Sequence, residues 1–134
     1  MKTMVLDNEM ATVWVYPEKR IIHHKFKRFV YGEKFKEIML GAAEAFQKNG
    51  CNKWLSDDLE NSALLPEDRD WAFSVWEPQV IKAGWKHWAL ILPKLIVGQM
   101  NMKQISEHYV KLGINFKAFS EPKEAMDWIE KQKL

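Results

Sequence analysis

The chain has 134 residues, of which 47% are hydrophobic, and 20 basic against 18 acidic side chains give a net charge of +2. This length suits one domain that buries about two thirds of its unfolded surface, without a need for disulfides or a metal ion. The balanced charge argues against a nucleic-acid-binding protein, for which a clustered basic face is expected.

The first part of the chain predicts an antiparallel hairpin followed by a helix. Two β-rich segments flank a turn at Pro17, which is typical of a hairpin. Apolar residues at helical spacing then run from Phe35 to Phe46, and Asn49-Gly50 supplies a left-handed cap. The predicted elements are strands over Met4–Leu6, Ala11–Tyr16 and Arg20–Phe29 and a helix that opens at Gly32.

The rest of the chain alternates strands with helices. Pro66 suits the first position of a helix, and Pro78 should kink or divide that same helix. The nearly continuous apolar strand that follows is typical of a central strand covered on both faces. These elements are strands over Asn52–Ser56, Lys86–Leu92 and Ile114–Phe119 and helices from Pro66, over Met100–Leu112 and over Glu121–Lys131. The order β-β-β-α-β-α-β-α-β-α predicts one α/β domain over residues 1–134.

The expected location is the cytoplasm. The single cysteine, Cys51, forms no internal disulfide, which favours a reducing compartment and a buried structural thiol. Asp7 and Glu9 interrupt the first apolar residues too early for a signal peptide. No apolar segment approaches the roughly 20 residues that cross a bilayer, so we expect a protein without a transmembrane segment.

No arrangement of side chains in the sequence predicts catalysis or a bound cofactor. His23 and His24 are adjacent on a strand, so they point to opposite faces and cannot chelate one ion together; we expect a structural role for both. Asp57, Asp58 and Glu60 follow a strand, where they could hold a metal ion, but a solvated acidic loop next to a helix is the favoured interpretation. We therefore expect no enzyme, no metal and no cofactor.

The central part of the chain has an unusual order of residues: Trp54-Leu55-Ser56-Asp57-Asp58, then Leu65-Pro66-Glu67-Asp68 with Trp71, Trp76, Pro78 and Gly84, and then Ala89 to Pro93. This arrangement resembles the small bacterial STAS/SEC14-like (SpoIIAA-like) proteins, and the resemblance extends from about Ala11 to Trp128. The resemblance implies a mixed sheet that begins with an antiparallel hairpin, and four helices packed mainly on one face. It also implies kinship with anti-sigma-factor antagonists, which bind a partner kinase and are switched by phosphorylation. The matching segment here, Leu64 to Asp68, has no phosphoacceptor Ser or Thr.

Two functions remain open from the sequence. The first is a non-catalytic STAS-like regulatory module that binds a protein partner through the surface around the second helix. Aromatic residues beside carboxylates are usual anchors of such surfaces. The residues predicted for this surface are Ser56, Asp57, Asp58, Glu67, Asp68 and Trp71. Self-association through an exposed edge at Met4–Tyr16 is part of the same hypothesis.

The second function is the binding of a small apolar, lipid-like ligand. An apolar pocket would form between the helix that Pro78 kinks, the segment Leu95–Met102 and the sheet. The residues predicted to line it are Trp76, Trp85, Ile96, Met100 and Met102. A deep apolar cavity would favour this function, whereas a filled core with an exposed aromatic patch would favour the partner surface.

Overall fold

The strands of the computed structural model, which describes residues 1–134, lie side by side in chain order in one six-stranded sheet. The first three strands pair antiparallel and the last four pair parallel. A 3₁₀ turn over Pro17–Lys19 joins the second and third strands, as the sequence predicts. The strands are β1 (Thr3–Asp7), β2 (Ala11–Tyr16), β3 (Ile21–Phe26), β4 (Lys53–Asp57), β5 (His87–Ile91) and β6 (Asn115–Phe119).

Four helical units flank this sheet, three of them on one face. The helices are α1 (Gly32–Lys48), α2 (Pro66–Trp71), α3 (Glu77–Lys82), α4 (Ile96–Lys111) and α5 (Pro122–Glu130). A π-helical segment over Ala72–Trp76 joins α2 to α3, so these two form one continuous unit. Only α5 packs against the opposite face, on β4, β5 and β6. The predicted fold class is confirmed: an α/β domain with a mixed sheet that begins with an antiparallel hairpin and has four helical units. None of the helices is both long and apolar enough to cross a bilayer.

Strand alternation divides the apolar side chains between the two faces of the sheet. On β3, Ile22 and Phe26 join the large core beneath α1, α2–α3 and α4, whereas Ile21 joins the smaller core beneath α5. This follows from the period of two, which sends successive side chains to opposite faces. The large core is rich in aromatic side chains, and Cys51 is fully buried in it. Burial raises the pKa of the Cys51 thiol to about 11, so the thiol stays protonated at neutral pH.

Three predicted features differ from the structure. The strand predicted over Arg20–Phe29 ends at Phe26. The fourth helix begins at Ile96 and not at Met100. Its first turn presents Ile96 and Val97 to solvent, so the apolar spacing that marks a buried helical face starts only later in the helix. The predicted edge over Met4–Tyr16 is correct for β1 alone, because β2 is paired on both sides.

Candidate functional site: the aromatic cavity

A cavity lies between the large-core face of the sheet and the helices α1, α2–α3 and α4. Its volume is about 60 Å³, and 13 of its 17 lining residues are hydrophobic, so its walls are mainly apolar. We call it the aromatic cavity, because four indoles contribute to its walls: Trp54, Trp76, Trp85 and Trp88. The four remaining lining residues, which are polar or charged, are His24, Ser56, Asp58 and Arg69. Such a volume accommodates about four water molecules or a ligand of a few heavy atoms.

The register of three parallel strands brings the polar lining residues together. His24 on β3 is aligned with Ser56 on β4, and Trp54 on β4 with Trp88 on β5. Alternation along each strand turns these side chains toward the helices of the large-core face. Polar groups are thus set into an apolar wall, which is the composition typical of small-molecule sites.

A buried hydrogen-bonded chain connects Trp54, His24 and Asp58. The indole Nε1–H of Trp54 donates to His24 Nδ1 over 2.9 Å. His24 Nε2 lies 3.0 Å from Asp58 Oδ1. An indole nitrogen can only donate, so His24 Nδ1 must accept and the imidazole proton is assigned to Nε2, which donates to the carboxylate. These bonds describe an imidazole that accepts at Nδ1 and donates at Nε2.

The backbone after β4 places the two adjacent aspartates on opposite sides. The Asp58 N–H donates to the Ile91 carbonyl over 3.1 Å, and the Asp58 carbonyl accepts from the Asn61 N–H over 3.0 Å. The Asp57 side chain accepts from the Leu59 N–H on the other side of the sheet. Burial raises the pKa of the Asp57 carboxyl, although the Leu59 hydrogen bond acts in the opposite direction. Of this acidic loop, only Asp58 therefore lines the aromatic cavity.

The indole N–H groups of the cavity are paired with one exception. Trp54 donates to His24, Trp85 to the His87 carbonyl over 3.0 Å, and Trp88 to Ser56 Oγ over 2.9 Å. Trp76 Nε1 is buried and has no hydrogen-bond partner, and the residue as a whole is 5% exposed. Buried hydrogen-bond donors are nearly always paired, so the unpaired N–H of Trp76 requires a physical explanation.

The π-helical segment carries three of the lining residues. Ala72, Phe73 and Trp76 all belong to it, and the Glu77 N–H donates to the Ala72 carbonyl, five residues back. Pro78 follows at once; it has no N–H, and its ring crowds the carbonyl four residues earlier, so the regular α-helical bonding cannot continue there. Such wide turns occur frequently at functional sites. The predicted effect of Pro78 is a wide turn over the cavity within an unbroken helical unit.

Tyr109 and Arg69 complete the cavity on its helical side. Burial, and then the negative charge of nearby Glu77, raise the pKa of the Tyr109 hydroxyl, which stays protonated at neutral pH. Arg69 is half-buried, and its guanidinium forms an ion pair with exposed Asp70 over 3.2 Å. Phe73 and Leu64 are also half-buried, so the cavity comes nearest to solvent on the side of α2.

The structure separates the residues predicted for a partner surface. Ser56 and Asp58 line the aromatic cavity, and Asp57 and Asp68 are also buried. Asp68 accepts from the Gly32 N–H at the start of α1. Strand alternation and the turn after β4 direct Ser56, Asp57 and Asp58 inward, and Asp68 is buried against the start of α1. Of the predicted set, only Glu67 and half-buried Trp71 reach solvent.

The residues predicted for an apolar pocket are divided as well. Trp76, Trp85 and Met102 line the aromatic cavity. Ile96 and Met100 are exposed by 71% and 65%, which places them on the surface of α4 and outside the cavity. The predicted site residues did not include His24. The available signal was that His24 shares one face of β3 with Ile22 and Phe26, which are both in the large core.

The adjacent histidine, His23, lies on the opposite face of β3 beside Trp14, with ring centres 4.6 Å apart. Its Nε2 is buried without a partner. Burial, and then the neighbouring imidazole of His24 and the positive charges of Lys2 and Lys25, lower the pKa of His23 to about 3. In the unfolded chain His23 takes up a proton near pH 6.5, whereas in the folded protein it does so only near pH 3. The free energy of unfolding therefore decreases as pH falls from about 6.5 toward 3.

We expect His23→Phe to remove that loss, which amounts to about 2 kcal/mol at pH 5. The measurement is the free energy of unfolding by urea at pH 7.5 and pH 5 for both proteins. The drop between the two pH values should be smaller in the variant. Equal drops in the two proteins would show that His23 is not the group responsible.

Comparisons with known proteins identify no related protein. The chain matches no protein-family model, no curated protein and no solved structure. The resemblance to the SpoIIAA-like proteins therefore stays a prediction. Within the structure, no three His, Cys, Asp or Glu side chains are grouped in a way that could hold a metal ion.

Proposed function

We propose that the protein binds a small, largely apolar molecule in the aromatic cavity. The observation that carries this proposal is the Trp76 indole N–H, which is buried in a cavity-lining residue without an acceptor. A buried donor left unpaired costs about 1–3 kcal/mol. A bound molecule that offers an acceptor would form the missing hydrogen bond and so remove the free-energy cost of the unpaired donor.

The construction of the walls supports the same function. Apolar and aromatic side chains surround a few polar groups, and the π-helical segment shapes one wall. A volume of about 60 Å³ is smaller than the roughly 150 Å³ of an engineered cavity that binds benzene. The occupant of the cavity is therefore a compact molecule, and a lipid chain would require the helices to move apart.

The test is the thermal stability of the protein with and without acetone, a compact and largely apolar molecule with a carbonyl acceptor, measured by scanning calorimetry. A ligand at ten times its Kd stabilises the folded state by about 1.4 kcal/mol, which raises Tm by about 3–6 °C. Ala72→Val fills the cavity from the π-helical segment and should abolish the rise. Ala45→Val, in the same core but outside the cavity, should retain it. No rise in the wild-type protein, or equal rises in both variants, would contradict binding in the aromatic cavity.

A second function, the STAS-like partner-binding module, draws support from the start of α4. Four consecutive or near-consecutive apolar side chains there are exposed by between 58% and 71%: Leu95, Ile96, Val97 and Met100. Ile96 and Met100 are four residues apart and share one side of the helix. A grouped apolar surface of this kind is typical of protein contact sites. We propose that it serves a regulatory contact that needs no phosphoacceptor Ser.

Sedimentation velocity tests this second function against the simplest partner, another copy of the chain. If the surface joins two copies, the sedimentation coefficient should rise with protein concentration, and Val97→Asp should keep the protein monomeric. The matched control is Val110→Asp, which changes another exposed valine, at the other end of the same helix. A monomer at all concentrations would reject self-association through this surface.

A further inference from the structure

Strand β6 forms one edge of the sheet, and its outer main-chain groups are unpaired. The Asn115 N–H and the Phe119 C=O are hydrogen-bonded to residues that flank β5. Because main-chain groups alternate in direction along a strand, Phe116 and Ala118 direct their N–H and C=O groups away from the sheet. The edge therefore offers both donors and acceptors to a further strand.

The other edge strand, β1, is less suited to such pairing. Its ladder with β2 is interrupted by a bulge between Met4 and Leu6, a feature by which natural sheets block edge-to-edge contact. The register of β6 with β5 is continuous from Asn115 to Phe119. The one charged side chain of β6 is Lys117, whose Nζ lies 5.4 Å from the centre of the Phe119 ring, on the α5 side of the sheet.

An apolar groove, which we call the edge groove, lies between α4 and the strands β5 and β6. Its volume of about 370 Å³ is within the range of binding sites for small groups. Its hydrophobic lining residues are Leu90, Leu92, Met100, Met102, Phe116 and Ala118. Phe116 and Ala118 thus present side chains to the edge groove and main-chain groups to the free edge. Exposed Met100 connects the groove to the apolar surface at the start of α4.

Basic side chains surround this edge. Lys103 lines the edge groove, and Lys111 and Glu107 line a depression that continues it along α4. Lys117 lies on the opposite face of β6. None of these three lysines forms an ion pair in the structure. The local excess of positive charge favours an acidic partner.

We propose that an extended peptide segment, in which apolar and acidic residues alternate, adds to β6 as a further strand. Its apolar side chains enter the edge groove and its acidic side chains lie beside Lys117, because successive residues of a strand point to opposite faces. Main-chain hydrogen bonds to Phe116 and Ala118 provide affinity, and the groove provides specificity. This inference rests on the partner-binding function proposed above and names the chemistry of the partner segment.

A second copy of β6 is a poorer occupant of the same edge. In the antiparallel register that joins Phe116 of each copy to Ala118 of the other, the two Lys117 side chains lie directly opposite each other. Like charges at directly opposed positions destabilise strand pairing. The added strand is therefore a segment of different sequence.

Fluorescence polarisation with three labelled peptides tests the inference. The peptide acetyl-EVEVEVE-amide has the proposed alternation, acetyl-EEVVVEE-amide has the same composition without it, and acetyl-KVKVKVK-amide has the opposite charge. We expect the first to bind about tenfold or more tightly than the other two. Only this peptide can direct its valines into the edge groove and its glutamates toward Lys117.

Variants of the protein assign this binding to β6. Lys117→Glu should weaken the alternating acidic peptide about three- to tenfold and strengthen the lysine peptide. Lys48→Glu is the matched control, because it makes the same change of charge at an exposed position of α1. Ala118→Pro removes an edge N–H at a position where proline is tolerated in edge strands, and it should weaken the acidic peptide about tenfold or more.

Hydrogen exchange measured by NMR on the wild-type protein locates the peptide without any variant. The acidic peptide should slow exchange at the Phe116 and Ala118 amides, since both become hydrogen-bonded. The amides of β1 should exchange at unchanged rates. This readout decides the position of the added strand even if Ala118→Pro fails to fold.

The outcomes distinguish the inference from the function on which it rests. Equal binding of the three peptides, or binding that leaves the Phe116 and Ala118 amides unprotected, would overturn the added strand. Equal effects of Lys117→Glu and Lys48→Glu would overturn it as well. If no peptide binds but the protein self-associates through Val97, the inference fails and the partner-binding function stands. The absence of both kinds of binding would overturn both.

Discussion

Replacing Trp54 with alanine is expected to lower the free energy of unfolding by about 3–5 kcal/mol, the range for deletion of a large buried aromatic side chain. Trp54 is 1% exposed and lies at the centre of the large core. Its ring packs edge-on against Trp76 at 5.1 Å and tilted against Phe46 at 5.3 Å. It also fixes the tautomer of His24, so its loss removes packing and a hydrogen bond at once.

Trp54→Phe separates these two contributions. Phenylalanine retains much of the packing but leaves His24 Nδ1 without a donor, so we expect a smaller loss of about 1–3 kcal/mol. Urea unfolding at pH 7.5 measures both variants. The control is Trp14→Phe, because Trp14 is half-buried on the opposite face of the sheet, away from the large core. If Trp54→Phe were as stable as the wild type, the hydrogen bond to His24 would contribute nothing.

The fold could be predicted where local chemistry dictates local structure. The apolar residues of α1, from Phe35 to Phe46, repeat at helical spacing, and the helix forms over Gly32–Lys48. The Gly50 cap adopts the predicted left-handed conformation with φ of 60°. In both cases neighbours in sequence are also neighbours in space, so the pattern is sufficient. In the first turn of α4, apolar side chains point to solvent, so the spacing of apolar residues does not mark the residue at which the helix begins.

The candidate site could be predicted only in part, because its polar groups meet across the sheet. His24 and Asp58 are 34 residues apart, and their contact depends on the parallel register of β3 with β4. The sequence correctly placed Trp76, Trp85 and Met102 at a pocket, because large apolar side chains are usually buried. The predicted strand ends at Ser56, so alternation could not be applied to Asp57, which is the last residue of β4, or to Asp58 in the turn after it.

The remaining large effect concerns Asp68, which stabilises the start of α1 from a different helix. The residue before α1, Tyr31, makes no side-chain capping bond. The Asp68 carboxylate, 2% exposed, instead accepts the Gly32 N–H at 3.3 Å and 3.0 Å through its two oxygens. The negative charge also complements the positive end of the α1 dipole. Asp68→Ala should therefore lower the free energy of unfolding by about 1–3 kcal/mol.

Glu67→Ala is the control that isolates this contact. Both carboxylates lie in the first turn of α2, so each favours the dipole of α2 to a similar extent, but Glu67 is exposed and has no bond to α1. We expect its replacement to change stability by no more than about 0.5 kcal/mol. Asp68→Asn should fall between the two, because an amide oxygen still accepts the Gly32 N–H but carries no charge. Equal losses of unfolding free energy for Asp68→Ala and Glu67→Ala would contradict this prediction. They would mean that Asp68 acts through the dipole of α2 and not through its hydrogen bonds to α1.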